Sequence, residues 1–310
     1  METVIHTEGL TRHFRGRAVV DRLDLAVPRG AIFALLGDNG AGKSTTIRML
    51  TGLLPADRGK ATILGRDCWR DALELRHQVG YVPERPRFYD WMTVGEIGTF
   101  TGGFHRAGYV GRYRKMLERF DLGYGQRLGE LSKGGYARVG LALALAIEPE
   151  VLILDEPTSG LDLFTRREFL ASMVELAGEG KTIFLSSHGV AEVERVASHA
   201  AFLAEGRVRL MGPLDQLKRR LLRLQVRHSG DAPESEGLGT VLAVESAGKE
   251  WECIVLDPDV AQVEQLRYRP GVLALEQQPL RLEEMYTALL GPARQDRQKP
   301  RLVEAREEQP

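Results

Sequence analysis

The sequence predicts an α/β fold in which buried strands alternate with helices. Short apolar runs of four to seven residues recur at 31–36, 151–154 and 181–187, and each is followed by a helical pattern. Each run also ends in glycine, acidic or other polar residues, as strands do when they bring their carboxyl ends to the ligand edge of a parallel sheet. We therefore expect one large domain, with room in the 310 residues for a smaller second one.

The composition excludes several classes of protein. Hydrophobic residues make up 43% and charged residues 27%, the formal net charge is −1 and the pI is about 6.7. Nothing in these values draws the whole molecule to nucleic acid or to acidic lipid. The two cysteines, Cys68 and Cys253, lack a metal or redox spacing and suggest a reducing compartment.

No segment of the sequence reads as a signal peptide or a membrane span. Residues 1–8 lack a basic region followed by an apolar core, so we expect a cytoplasmic protein. The most apolar stretch, 139–154, is interrupted by Glu148-Pro149-Glu150 and falls short of the roughly 20 apolar residues that a spanning helix needs. A role at a membrane would require another chain to provide the span.

The N-terminal region predicts two strands, at 3–9 and 18–27, joined by a turn that contains Phe14. An aromatic ring ahead of a nucleotide site can stack on a base, because every base has a π-face. A half-buried turn residue is an equally good interpretation of Phe14.

Residues 37–45 predict a P-loop, because they lie between the apolar strand 31–36 and a helix that begins near 46. The loop consists of Gly37, Asp38, Asn39, Gly40, Ala41, Gly42, Lys43, Ser44 and Thr45. Its glycines let backbone N–H groups turn inward at a helix N-terminus, where anions bind. Lys43 would reach the β- and γ-phosphates, and Ser44 would offer its hydroxyl to Mg²⁺. A glycine-rich turn with a chance lysine explains the strand, spacing and hydroxyl less well.

A turn at 51–59, a strand at 60–64, a helix at 70–78 and a strand at 79–82 follow. Glu84 comes after this last strand and Pro83. If the strand runs beside the P-loop strand, Glu84 places a carboxylate near Mg²⁺ or an attacking water. The alternative is a solvated loop acid.

The segment 85–130 predicts an inserted helical subdomain, with helices near 93–101 and 109–120. Its aromatic residues Phe88, Tyr89 and Trp91 could form a docking patch for a partner. Local core packing is the commoner role of such a cluster.

Residues 131–135, Leu-Ser-Lys-Gly-Gly, open an alanine- and leucine-rich helix predicted over 136–147. Ser132 suits an N-cap, and Gly134 and Gly135 expose N–H groups at a positive helix end. The simple interpretation is a capped helix. Since one P-loop needs no second phosphate site, the other interpretation is a nucleotide shared between two copies.

Two further strands end in chargeable residues. Strand 151–154 leads to Asp155, expected in the Mg²⁺ shell, and to Glu156, expected to polarise the attacking water. Residues 157–162 turn into a helix at 163–178, and strand 181–187 ends at His188. A lone histidine after a strand is usually structural, but its place on the same edge favours a contact with the γ-phosphate.

These motifs together resemble the ATP-binding subunit of ATP-binding cassette (ABC) transporters over about residues 1–220. In chain order they are the P-loop, Glu84, 131–135, Asp155-Glu156, Ser159-Gly160-Leu161-Asp162 and His188. The resemblance implies a P-loop NTPase fold with a mixed-sheet core and a helical subdomain at about 85–150. It also implies a head-to-tail dimer that holds two MgATP, each between one P-loop and the other copy's Ser132, Gly134, Gly135 and Asp162.

The resemblance also implies roles for single residues. Phe14 matches the adenine-stacking aromatic, Glu84 the Q-loop position, Glu156 the catalytic base and His188 the switch histidine. Lys133 stands where the signature usually has glycine, which is similar to single-cassette exporters of drugs, sodium or polysaccharide. Glu84 stands where glutamine is commoner, so its contact would depend on pH and Mg²⁺.

The remaining chain predicts a hairpin at 201–208, a basic helix at 213–222 and a small α/β accessory domain at 223–290. In that domain we expect strands at 224–226, 241–244 and 253–256 and helices near 259–267 and 281–290. Residues 291–310 are polar and are expected to form a disordered tail.

The sequence thus predicts an ATPase that drives a separate transmembrane permease through the region 85–105, peripheral on the cytoplasmic face of the membrane. Its partner cassette would be a second copy or a different chain. The competing class is a soluble ABC-type ATPase that acts on nucleic acid or the ribosome. The chain lacks the long coiled coil and the second cassette of those relatives, so no nucleic acid is expected. A small-molecule kinase would leave 131–135 unexplained.

Overall fold

The computed structural model describes residues 2–291, with the exception of the Glu192 side chain. The chain divides into two compact units, Met1–Leu217 and Lys218–Pro310. The tail expected at 291–310 lies, apart from Gly291, outside the described residues. No helix among the described residues is both long and apolar enough to cross a bilayer.

The first unit contains an antiparallel four-stranded sheet in the order β2-β1-β4-β5. Its strands are β1 (Thr3–Phe14), β2 (Arg17–Pro28), β4 (Arg58–Ile63) and β5 (Arg66–Asp67). In β2, the buried residues Leu23, Leu25 and Val27 alternate with exposed ones, so one face is buried. The predicted strands 3–9 and 18–27 are present and extend further.

The second sheet of this unit has six strands in the order β10-β9-β3-β8-β7-β6. They are β3 (Ile32–Leu36), β6 (Val79–Val82), β7 (Val151–Leu154), β8 (Thr182–Ser187), β9 (His199–Ala204) and β10 (Arg207–Pro213). All neighbours pair in parallel except β9 and β10, so the sheet is mixed. Strands β3, β7 and β8 are buried along their whole length, as central strands of a covered parallel sheet are.

The strand before Glu84 does not lie beside the P-loop strand, the arrangement that the sequence left open. Strand β6 does not run beside β3, because β8 and β7 lie between them in the sheet. Strands β7 and β8 occupy central positions in the sheet, and all their residues are buried. In the edge strand β6, Val79 and Tyr81 are only partly buried. Glu84 therefore approaches the P-loop from the edge of the sheet.

The helices between residues 43 and 220 fall close to their predicted places, except for the short one at 190–193, which the sequence did not predict. They are α1 (Lys43–Leu50), α2 (Ala72–Leu75), α3 (Val94–Gly102), α4 (Tyr109–Arg119), α5 (Lys133–Leu145), α6 (Leu163–Gly178), α7 (Val190–Val193) and α8 (Leu214–Arg220). Residues of α3, α4 and α5 share one hydrophobic core that includes Val94, Tyr113 and Val139. Helix α5 begins three residues before its predicted start, because Ser132 caps it.

The second unit contains a four-stranded antiparallel sheet in the order β12-β13-β11-β14. Its elements are β11 (Leu221–His228), β12 (Thr240–Ala247), β13 (Glu250–Leu256), α9 (Val260–Leu266), β14 (Val272–Pro279) and α10 (Leu282–Leu290). The sequence did not predict β14, an edge strand in which only Leu275 is buried and which therefore lacks a clear apolar alternation.

Candidate functional site

The P-loop joins β3 to α1 through backbone that leaves no room for a side chain at Gly37 or at Gly42. A Cβ added to Gly37 would lie 2.5 Å from the carbonyl oxygen of Leu203. Gly42 has a φ of +109°, and its Cβ would lie 2.6 Å from the carbonyl oxygen of Val19. Both positions require glycine, and the loop is held close to β2 and β9.

The Lys43 ammonium group is buried inside this loop. Its Nζ donates to the carbonyl oxygens of Gly37 at 2.7 Å and Asp38 at 3.3 Å. It also lies 3.0 Å from Oε1 of Glu156, and the two side chains are only 5% and 9% exposed. The loop lysine and the acid that follows β7 thus form a desolvated ion pair.

Asp155 accepts hydrogen bonds from two hydroxyl groups. Ser44 Oγ donates to its Oδ1 at 3.1 Å, and Ser186 Oγ donates to the same oxygen at 2.7 Å. Burial, and secondly the charge of Asp155, raise the pKa of Tyr81 to about 12. A hydroxyl and a carboxylate are oxygen donors of the kind that Mg²⁺ prefers.

These donors fit a metal that is held largely by its substrate. The described residues contain no group of three or more His, Cys, Asp or Glu that could hold an ion alone. Mg²⁺ is commonly bound by one or two carboxylates together with the phosphates of a substrate. Ser44 and Asp155 would therefore suffice as the ligands that the protein provides.

Glu156 is held between Lys43 and His188. Its Oε2 lies 2.7 Å from Nδ1 of His188 and accepts from the His188 backbone N–H at 3.3 Å. Its own N–H donates to Ser186 Oγ at 2.9 Å, and its φ of +47° is left-handed, which is rare outside glycine. The structure thus joins Lys43, Glu156 and His188 in one chain of contacts.

A cavity of about 510 Å³ opens at this edge of the sheet. It is lined by Val19, Asp38, Asn39, Gly40, Gly42, Lys43, Ser44, Thr45, Glu84, Arg85, Glu156, Ser159 and His188. Seven of the nine predicted P-loop residues therefore meet Glu84, Glu156 and His188 at one place. Sequence reasoning missed Val19, Arg85 and the buried Ser186, and it named Ser159 only as part of a motif, without a role.

Seven predicted binding residues do not line this cavity in the described structure, namely Phe14, Gly37, Ala41, Ser132, Gly134, Gly135 and Asp162, and the predicted metal ligand Asp155 does not line it either. Phe14 ends β1 with a 43% exposed side chain, and the Arg12 guanidinium lies 5.1 Å from its ring centroid. Asp162 caps α6 by accepting from the N–H groups of Phe164 and Thr165. The Thr165 hydroxyl also donates a hydrogen bond to the Asp162 carboxylate. This bond is the main reason that the pKa of Asp162 lies below its usual value.

The segment around Ser132 forms an exposed helix start. Ser132 Oγ accepts from the Gly135 N–H at 3.1 Å, which makes it the N-cap of α5 as predicted. A Cβ at Gly134 would lie 2.5 Å from Cγ2 of Thr165, so glycine is needed for the close packing of α5 on α6. Ser132 and Lys133 themselves are exposed.

Phe88, Tyr89 and Trp91 do not all have the same environment, although the sequence grouped them either as local core or as a docking patch. Phe88 is partly buried, and its ring centroid lies 4.8 Å from that of Tyr136. Tyr89 and Trp91 are 57% and 65% exposed and contact each other at 5.7 Å between centroids. Phe88 is therefore local core, and the other two form a free aromatic surface.

Comparison with known proteins identifies the family to which this chain belongs. Residues 20–159 match the ABC transporter family model. The chain is 34% identical over 298 residues to the Nod factor export ATP-binding protein I of Rhizobium etli, covering 93% of this chain and 94% of that one. The chain belongs to the ATP-binding subunits of ABC transporters. The family binds ATP, and its members dimerise and work with membrane permeases.

Two further likenesses support this assignment to the ABC ATP-binding subunits. An uncharacterised ABC transporter ATP-binding protein of Synechocystis is 38% identical to this chain over 228 residues. The aligned region covers 71% of this chain and 63% of that relative. A solved ATP-binding subunit of an ABC transporter superposes with a TM-score of 0.64 at 32% identity. It covers 70% of this chain and 92% of its own.

Proposed function

We propose that this ABC subunit hydrolyses MgATP in a head-to-tail pair of copies and so drives a separate permease for export. The observation that carries the proposal is the contact chain Lys43–Glu156–His188 at the P-loop cavity. It brings together a P-loop lysine, a buried carboxylate and a histidine, which are groups that the binding and cleavage of a phosphate would require.

In this mechanism the side chains exchange partners when the nucleotide binds. Lys43 leaves Glu156 and the Gly37 carbonyl for the phosphates, which are better anionic partners than a carbonyl. Ser44 and Asp155 would hold Mg²⁺, which neutralises charge on the phosphates. Glu156, freed from Lys43, accepts a proton from the attacking water, and His188 orients the Glu156 carboxylate.

The segment 132–135, in which Ser132 and Lys133 are exposed, supports the pairing of two copies. Its helix N-terminus and backbone N–H groups suit an anion, yet its own chain's P-loop cavity does not include them. In a head-to-tail pair, the nucleotide of one copy supplies the anion for Ser132 and Gly135 of the other. Asp162 would act at the same interface, and Phe14 would stack on the adenine base.

Two features support the permease and the direction of transport. Tyr89 and Trp91 present an exposed aromatic pair next to α3, the kind of surface that protein interfaces favour. Export is supported by the Rhizobium relative, which is named for export and matches nearly the whole chain. Copurification of the tagged subunit with an integral membrane protein, lost in Trp91→Ser, would test the surface.

The test of the hydrolytic role is Glu156→Gln. Removing the base should lower turnover by roughly 10²–10⁴. Binding of a fluorescent ATP analogue should stay within a few-fold, and an ATP-dependent dimer should accumulate in size-exclusion chromatography. Turnover within a few-fold of the original, or full activity from a strict monomer, would contradict the proposal.

A further inference from the structure

The hydroxyl of Ser186 is bonded to both acids of the site. Its Oγ donates to Asp155 Oδ1 at 2.7 Å and accepts from the Glu156 N–H at 2.9 Å. The side chain is fully buried. One hydroxyl therefore links the carboxylate on the metal side to the backbone of the base.

The sheet places Ser186 there. Strand β8 lies between β3 and β7, with Ser186 opposite Leu35 and Leu185 opposite Leu154. In a parallel pair the register continues by one residue, so Ser186 lies beside Asp155. A buried donor and acceptor in series polarise each other, which strengthens both bonds in a low-dielectric site.

Two needs at this site remain after ATP has bound, and among the described hydrogen bonds those of Ser186 serve both. Ser44, the other donor to Asp155 Oδ1, is the hydroxyl that the proposed mechanism assigns to Mg²⁺. Glu156 also holds a left-handed backbone, with a φ of +47°, that persists only if its surroundings enforce it. Its N–H is anchored by Ser186 alone among the described hydrogen bonds.

We propose that Ser186 is the positioning residue that aligns Asp155 with Mg²⁺ and Glu156 with the attacking water. This inference rests on the proposed function. Because residues behind metal ligands typically matter 10- to 100-fold, Ser186→Ala should raise the Mg²⁺ requirement roughly 10-fold or more. Binding of ATP in EDTA should change less than twofold, because Lys43 and the P-loop amides are untouched.

The experiment uses full-length chains in a Glu156→Gln background, with the Mg²⁺ concentration for half-maximal ATP-dependent dimerisation as readout. Ser187→Ala is the matched control, since Ser187 is buried in the same strand but its Oγ accepts from the Gly189 N–H. If Ser186→Ala proves unstable in thermal melts, Ser186→Cys keeps the volume with a weak donor.

The outcomes separate the two proposals. A shift confined to Ser186 variants supports the inference. An equal shift in Ser187→Ala, or a shift below threefold in the Ser186 variants, overturns it. If the Glu156→Gln parent forms no dimer with MgATP, the proposed function itself fails.

Discussion

The six-stranded sheet of the first unit and the four-stranded sheet of the second handle polar residues differently. Among the parallel strands of the six-stranded sheet, Asp155 follows β7 and His188 follows β8, so both lie at one edge near the P-loop. In the antiparallel sheet, Arg223, Gln225 and Arg227 alternate along β11 and point away from the buried Leu224 and Val226. Strand direction therefore determines whether polar side chains collect at a site or spread over a face.

Two ion pairs, one from each unit, differ in how far they are exposed to solvent. Lys43 and Glu156 are buried and 3.0 Å apart. Arg220 forms two 2.7 Å hydrogen bonds to Asp257, but these side chains are 43% and 53% exposed. A buried pair is costly to break, whereas an exposed pair is screened by water and contributes little.

The largest effect is expected in the core of the second unit. Trp251 is 3% exposed and packs with Leu224, Cys253 and Val263. Trp251→Ala should destabilise this unit by about 3–5 kcal/mol because it removes a large buried side chain. Denaturant melts would measure this, and Tyr268→Ala, at an 81% exposed position, should change stability by less than about 0.5 kcal/mol.

The same variant sharpens the comparison of the two units. The residues that line the P-loop cavity lie between positions 19 and 188. Trp251→Ala should therefore leave the affinity for a fluorescent ATP analogue within about twofold of the original. A large loss of nucleotide binding would show that the two sheets are not independent in function.

A somewhat smaller change in stability is expected from breaking the buried pair. Lys43→Ala leaves Glu156 desolvated with His188 as its remaining side-chain partner, so it should cost about 3 kcal/mol, the low end of the range for buried pairs. Nucleotide affinity should fall by roughly 30-fold or more, the cost of truncating one buried charge. Urea melts and titration with the ATP analogue measure the two effects.

A double-mutant cycle isolates the Lys43–Glu156 contact. In Lys43→Ala/Glu156→Gln the isolated carboxylate is gone, so the combined loss of stability should be smaller than the sum by about 0.5–3 kcal/mol. Additive losses would mean that the 3.0 Å contact contributes no coupling energy.

The smallest effect concerns the exposed pair of the second unit. Hydrogen bonding from Arg220, and secondly its charge, keep the pKa of Asp257 below the usual value. A depressed folded-state pKa stabilises the fold above the unfolded pKa of about 3.9, and this contribution is lost as the pH falls through the folded value. The stability difference between the original and Asp257→Asn should thus be under about 1 kcal/mol at pH 7 and shrink below about pH 4. Urea melts at several pH values would measure it, and a difference that grows on acidification would contradict the assignment.

Much of the fold followed from local sequence. The P-loop, the strands around Asp155 and His188 and the helix capped by Ser132 were predictable, because apolar periodicity, glycine spacing and cap chemistry act within a few residues of the chain. Strand β14 escaped prediction because it is a polar edge strand with one buried residue, Leu275.

Strand order was decided only by the tertiary structure. No local pattern states which strands become neighbours, so the sequence suggested that the strand before Glu84 runs beside β3, whereas two other strands lie between them. The same long-range pairing puts Ser186 against Asp155, 31 positions away in the chain, where a plain serine in an apolar strand carries no signal. The sequence by itself predicted the P-loop, Asp155, Glu156 and His188 as site residues. The packing of β3, β8 and β7 determined which residues touch there, because contacts between distant residues depend on the whole sheet.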